Sequence, residues 1–156
     1  MKTLLVVCLL GLTLVHAQAR LGETKAQIEA RYGISKNFSQ GLSDREYISS
    51  YRVHNLSVTI SFLDGISQEE FFCKTDRKTD FRQEEINAFL ADNKGNSYWR
   101  DTTKPVKIKG KETDGIYCLA DNTALAIYVV GDFPHFWVCT KTFDAYKRNT
   151  PRKKAR

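Results

Sequence analysis

Residues 56–62 alternate without interruption: Leu56, Val58, Ile60 and Phe62 are apolar, and the intervening Ser57, Thr59 and Ser61 carry hydroxyls. A period of two predicts a strand with one face on a core and the other on water or a polar layer. Asp64-Gly65 follows as a hairpin turn and returns the chain through residues 66–73. A two-residue turn pairs Val58 with Phe71, and a three-residue loop with a bulge at Gly65 pairs Leu56 with Phe72; the pattern accommodates both. Residues 47–53 supply a preceding strand and complete a meander. Further on, residues 123–130 are apolar on both faces, the mark of a central strand. They are flanked by residues 115–120 across the Asp121-Asn122 turn and by residues 136–143 across Gly131-Asp132-Phe133-Pro134.

Two segments change period. Ile28 and Tyr32 share a helical face behind Thr24-Lys25-Ala26-Gln27, a capping box in which hydroxyl and amide side chains satisfy each other's free backbone groups. Gly33 ends that helix, predicted over 24–32. Ile86, Phe89 and Leu90 mark a second helix over 82–93, with Asp80 as N-cap, Glu84 and Glu85 at its positive end and Gly95 beyond it. Residues 34–46 read as a polar loop, 98–100 as a brief strand and 102–114 as a lysine-rich loop. The expected fold is α+β: a mainly antiparallel sheet of five to seven strands with two helices on one face. Its order suggests two pseudo-repeated α-β-β-β units.

The first nineteen residues carry a different pattern. Lys2 precedes an apolar run over residues 3–15, and Ala17-Gln18-Ala19 offers the small-x-small signature of a processing site. Such a run is shorter than the roughly twenty residues a membrane span needs, so it predicts a secretory signal peptide over 1–19. The mature chain then starts at Arg20 and is exported, periplasmic or extracellular, with no transmembrane segment. Its length suits one domain, over 20–146.

The net charge of +6 is unevenly spread. Lys147, Arg148, Arg152, Lys153, Lys154 and Arg156 lie in the last ten residues without an acid, and Lys2 leaves with the leader, so residues 20–146 are about one charge negative. The end of the chain is expected to be a disordered basic tail over 147–156, able to attract an anionic envelope surface. It lacks the interleaved aromatics that stack on bases, so no specific nucleic acid is expected.

Cys73, Cys118 and Cys139 remain after the leader's Cys8. Tight turns place Cys118 opposite Leu125 and Cys139 opposite Ala126. The two thiols then lie on opposite faces and roughly 9–10 Å apart, beyond the reach of a disulfide. Reduced, packed thiols are expected, and any bridge would involve Cys73. His54 and His135 are spaced for no metal site, and no cofactor-binding loop is present. Neighbouring acids such as Glu69-Glu70 diverge, as on a solvated face. No catalytic residue is assigned. The best surface site is the aromatic set Phe133, His135, Phe136 and Trp137 around a proline-fixed turn, since aromatics at a hairpin tip anchor protein partners.

The stretch Gly22-Glu23-Thr24-Lys25-Ala26-Gln27-Ile28-Glu29-Ala30-Arg31-Tyr32-Gly33 resembles the opening helix of small bacterial envelope proteins of the SmpA/OmlA (BamE-like) type, where a Gly-x-Ser/Thr-x-x-Gln/Glu helix ending in glycine precedes an antiparallel sheet. Ile34-Ser35 stands where that family usually carries proline, and no cysteine for lipidation follows the leader. The layout is also similar to that of bacterial beta-lactamase inhibitor proteins. The resemblance implies an exported envelope protein and carries no functional residue across. The expected function is a non-catalytic binding module of the cell envelope or medium. One alternative is a secreted hydrolase inhibitor presenting the hairpin around Phe133–Trp137. The other is an enzyme assembled from distant residues such as His54, Asp64 and Cys73.

Overall fold

The computed structural model describes residues 20–102 and 113–151. Helix α1 (Lys25–Tyr32) is followed by β1 (Asn37–Gln40), β2 (Glu46–Val53), β3 (Leu56–Leu63) and β4 (Ile66–Lys74). Helix α2 (Gln83–Asn93) is followed by β5 (Trp99–Asp101), β6 (Thr113–Leu119), β7 (Ala124–Val129), β8 (His135–Thr140) and α3 (Lys141–Asn149). Among the described residues, eight strands form one antiparallel sheet in the order β1-β2-β3-β4-β8-β7-β6-β5. The class is α+β as expected, with eight strands and three helices where five to seven and two were predicted. Each of the first two helices leads a four-stranded meander, not a three-stranded one. The two meanders meet last strand to last strand, so the strand order reads the same from either edge.

The β3–β4 hairpin shows how a local choice sets the faces. Asp64 and Gly65 both take positive φ, 53° and 82°, the paired left-handed conformation of a tight two-residue turn. Leu63 pairs with Ile66 and Phe62 with Ser67, after which Gln68 is bulged and Ser61 pairs with Glu69. Val58 therefore faces Phe72 and Leu56 faces Lys74, a register that neither simple turn predicts. A bulge moves every later side chain of β4 to the other face. Here it brings Phe72 and Glu70 to the side of Val58 and Ile60.

That inner face carries the core. Val58, Ile60, Phe62, Phe72, Ala126, Phe136 and Val138 are fully buried and pack with Ile28 and Tyr32 of α1 and Ile86, Phe89 and Leu90 of α2. Each of the valine, leucine, isoleucine and phenylalanine side chains contributes roughly 1.5–3 kcal/mol by leaving water. The α1 capping box forms as predicted: Gln27 N–H donates to Thr24 Oγ1 at 3.4 Å and Thr24 N–H to Gln27 Oε1 at 2.9 Å. Gly33, at φ 81°, ends the helix. In α2 the cap falls two residues later than predicted: Arg82 is the N-cap residue, its N–H donating to Glu85 Oε2 at 2.9 Å, while Asp80 accepts from the Tyr128 hydroxyl at 3.3 Å.

Two elements arise where none was predicted. β1 lies inside the expected 34–46 loop, with all four residues exposed. It lacks an apolar alternation because backbone pairing to β2 alone makes it a strand. At the other end β8 stops at Thr140, whose hydroxyl accepts from Phe143 N–H at 3.2 Å and caps α3. Residues 141–143 are thus helical, not a continuation of the strand. Lys147 and Arg148 belong to α3 and not to a disordered tail. Arg152, Lys153, Lys154 and Arg156, the leader over 1–19 and most of the predicted lysine-rich loop lie outside the described residues. No helix among the described residues is long and apolar enough to cross a membrane.

Candidate functional site

On the outer face, opposite the core, strand alternation collects an aromatic cluster. Phe71 of β4 pairs with Trp137 of β8, and His135 lies on the same face of β8 two residues away. The Phe71 and His135 rings stack with centroids 4.8 Å apart, and Phe133 from the β7–β8 turn lies 6.0 Å from Phe71 and 5.5 Å from His135. His135 Nδ1–H donates to the Phe133 carbonyl at 2.9 Å, tying the ring to the turn. Arg77, held at φ 59° in the loop after β4, sets its guanidinium 5.9 Å from the Phe133 ring centroid, within cation–π range. Phe71, Phe133, His135 and Trp137 are all half-buried.

The predicted set Phe133, His135, Phe136 and Trp137 is therefore divided. Phe133 and His135 join the cluster. Trp137 shares the face, but its indole N–H is committed to Glu69 Oε1 at 2.7 Å. Phe136 points to the other side of β8 and is fully buried against Phe72 and Phe89, which removes it from any partner surface. Phe71 and Arg77 were missed because they are remote in sequence; only the β4–β8 pairing brings them to the turn.

Glu69 and Glu70 do diverge, as expected of adjacent strand residues, but neither is solvated. Glu69, 9% exposed on the outer face, accepts from Ser61 Oγ at 2.7 Å, Trp137 Nε1 at 2.7 Å and Lys147 Nζ at 2.9 Å. This network pins α3 across the sheet. Tyr146 of the same helix donates its hydroxyl to Ser43 Oγ at 2.7 Å. Arg148 pairs with Asp144 one turn earlier. Two of the six cations assigned to an anion-attracting tail are thus committed within the fold.

Glu70 faces inward and is fully buried. Burial pushes its carboxyl up to about 8; Arg31 opposes the rise and Glu23 adds to it. Arg31 is itself ion-paired with Glu23. The Asn93 side chain and the Arg20 backbone also favour the ionised form, yet neither Glu70 oxygen closes a hydrogen bond. A cavity of about 330 Å³ opens beside Arg20 and Asn93 and is lined also by Gly22, Asp92, Asp121 and Thr123. The Gln68 bulge concealed the site from sequence: an unbulged two-residue hairpin places Glu70 opposite Thr59 on the outer face.

His54 and Asp64 occupy the turns at opposite ends of β3, about 25 Å apart at the rise of an extended chain, and Arg45 Nε holds Asp64 at 2.7 Å. Cys73 is buried, and that burial raises its thiol pKa. These three residues do not converge. Cys118 and Cys139 both lie opposite Leu125, on one face and not on two. The difference arises in the β7–β8 connection, which takes in Val130 and pairs Val129 with His135. Two strand spacings, roughly 9–10 Å, still separate the thiols. Cys73, Cys118 and Cys139 are all unbridged. Burial, with the Glu69 charge beside it, pushes the Cys139 thiol up to about 12. Among the described residues no group of three or more His, Cys, Asp or Glu side chains is arranged to hold a metal ion.

No protein-family model matches the chain, and no curated protein does. Among solved structures it is similar to a cysteine-rich secretory protein from Staphylococcus aureus subsp. aureus Mu50, at 10% sequence identity and a TM-score of 0.49. The match covers 86% of this chain and 49% of that one, so the chain spans about half the length of its structural neighbour.

Proposed function

We propose that the protein is exported, processed after Ala19, and acts as a non-catalytic binding module that takes a protein partner on the outer face of its sheet. The observation that carries this reading is the half-buried cluster of Phe71, Phe133 and His135 with Arg77 over its edge. These rings lie opposite the core formed with α1 and α2, and aromatic and arginine side chains of this kind are the usual anchors of protein interfaces. In this reading, Arg152, Lys153, Lys154 and Arg156 add a non-specific attraction to anionic surfaces.

The test is capture from envelope extract or medium with the mature protein, compared with Phe133→Ala and Arg77→Ala variants. Each is expected to lower capture of the specific partner by about tenfold or more, with an unchanged melting temperature. Equal capture by the wild type and both folded variants overturns the aromatic site.

A further inference from the structure

Glu70 sits between Ile60 of β3 and Val138 of β8, and among the described residues neither of its carboxyl oxygens has a hydrogen-bond partner. The groups that act on it are Arg31 and Tyr32 of α1, Glu23 of the segment before α1, and Asn93 of α2. Asp92 acts on the adjoining Tyr32. Arg31 is the one positive side chain among them, and it is already engaged by Glu23. A buried carboxylate in such a place must stay protonated or find a countercharge.

The segment ahead of α1 runs as a strap along the end of β4. Gly22 N–H donates to the Ser67 carbonyl at 2.8 Å, and Ser67 N–H donates to the Glu23 carbonyl at 2.8 Å. Ser67 Oγ donates to the Arg20 carbonyl at 3.1 Å, Leu21 N–H to Asn93 Oδ1 at 2.9 Å, and Thr24 bridges to Ile66. Among the described residues this anchoring includes Arg20 itself. It brings the Arg20 main-chain nitrogen close enough to Glu70 to favour the carboxylate, without completing a hydrogen bond.

We propose that cleavage of the Ala19–Arg20 bond turns that nitrogen into an α-ammonium which pairs with the Glu70 carboxylate, so that processing itself completes the buried cluster and locks the strap onto the sheet. The inference rests on the processing reading above. In the step, water adds across the peptide bond under a processing endopeptidase. The Ala19 carboxylate departs with the leader, and the freed Arg20 amine takes up a proton. An amide offers one neutral donor, whereas an ammonium offers three donors and a full charge. That change supplies the two things Glu70 lacks, a counterion and partners for both oxygens.

Two measurements decide the matter. The amino terminus of the secreted protein, read by sequencing, is expected to be Arg20; another terminus overturns the processing premise, whatever the stability data show. Separately, the protein is prepared by fusion cleavage with Arg20 first, with Ala19 retained, or with Arg20 N-acetylated, each as wild type and Glu70→Gln. At pH 7 the free Arg20 form is expected to melt at least about 5 °C above the other two, as for a buried pair broken on one side. Glu70→Gln should remove that difference. The α-amine of native Arg20-first protein should also acylate at least about tenfold more slowly than that of the folded Glu70→Gln form, since a proton held by an ion pair is not released. Equal melting of the three termini, a difference that survives Glu70→Gln, or equal acylation rates overturns the pair.

Discussion

Adjacent in sequence, Glu69 and Glu70 are solved in different ways. Glu69 accepts from three donors on the outer face. Glu70 has none that close and is driven by burial toward the neutral acid. The consequence for stability has a definite sign. When the chain continues ahead of Arg20, Glu70 titrates near 8 in the folded state against an ordinary 4.5. Below about pH 4.5 both states hold the proton and the group contributes no pH dependence. Between about 4.5 and 8 the unfolded chain releases it first, so stability falls as pH rises, by up to about 1.4 kcal/mol per pH unit. Denaturant unfolding of the Ala19-retaining form at pH 5, 6, 7 and 8 should show this decline, and Glu70→Gln should flatten it. A profile identical in both proteins would mean that Glu70 is not titrating as its burial requires.

Among the elements, α3 departs most from what its sequence suggests. Its composition is polar and basic, and only Phe143 of its residues is buried. It is helical through a Thr140 cap and through contacts 78 to 103 residues away, from Lys147 to Glu69 and from Tyr146 to Ser43. Truncation separates the folded part of the C-terminus from the rest. Ending the chain after Pro151 should leave the melting temperature unchanged while lowering retention on anionic vesicles at low salt. Ending it after Tyr146 removes Lys147 and leaves the nearly buried Glu69 without its cation. That should cost about 1–3 kcal/mol in denaturant unfolding. Equal stability of the two truncations would remove α3 from the folded body. By contrast α1 was legible almost to the residue, since its cap, apolar face and terminal glycine all lie within ten positions. β1 was not, because a polar edge strand is defined only by the neighbour that pairs with it.

Across the whole molecule, the two meanders share their core at the β4–β8 seam. Phe72, Phe89 and Phe136 come from β4, α2 and β8, with centroids 4.5 Å apart for Phe72–Phe89 and 5.3 Å for Phe89–Phe136. Neither half closes this cluster alone, so unfolding should be one cooperative transition. Phe136→Ala should cost about 3–5 kcal/mol by leaving a cavity at the seam, while Phe133→Ala, three residues away, should cost less than about 1 kcal/mol. Two separate transitions by circular dichroism, or a Phe136→Ala cost as small as that of Phe133→Ala, would show that the seam does not join the halves. What the chain determined unaided is the set of properties that act over a few neighbours: alternation in β3, helix faces and the α1 cap, a hairpin turn at Asp64-Gly65, and the class α+β. Tertiary structure decided everything that depends on register and on partners far along the chain. One bulged residue at Gln68 decides whether Glu70 is a surface acid or a buried one. Pairing of β4 with β8 decides that Phe71 joins Phe133 while Phe136 enters the core. The reason is physical: side-chain direction in a strand reverses with every residue, so a single unit of register, set by contacts along the sheet, exchanges core for surface.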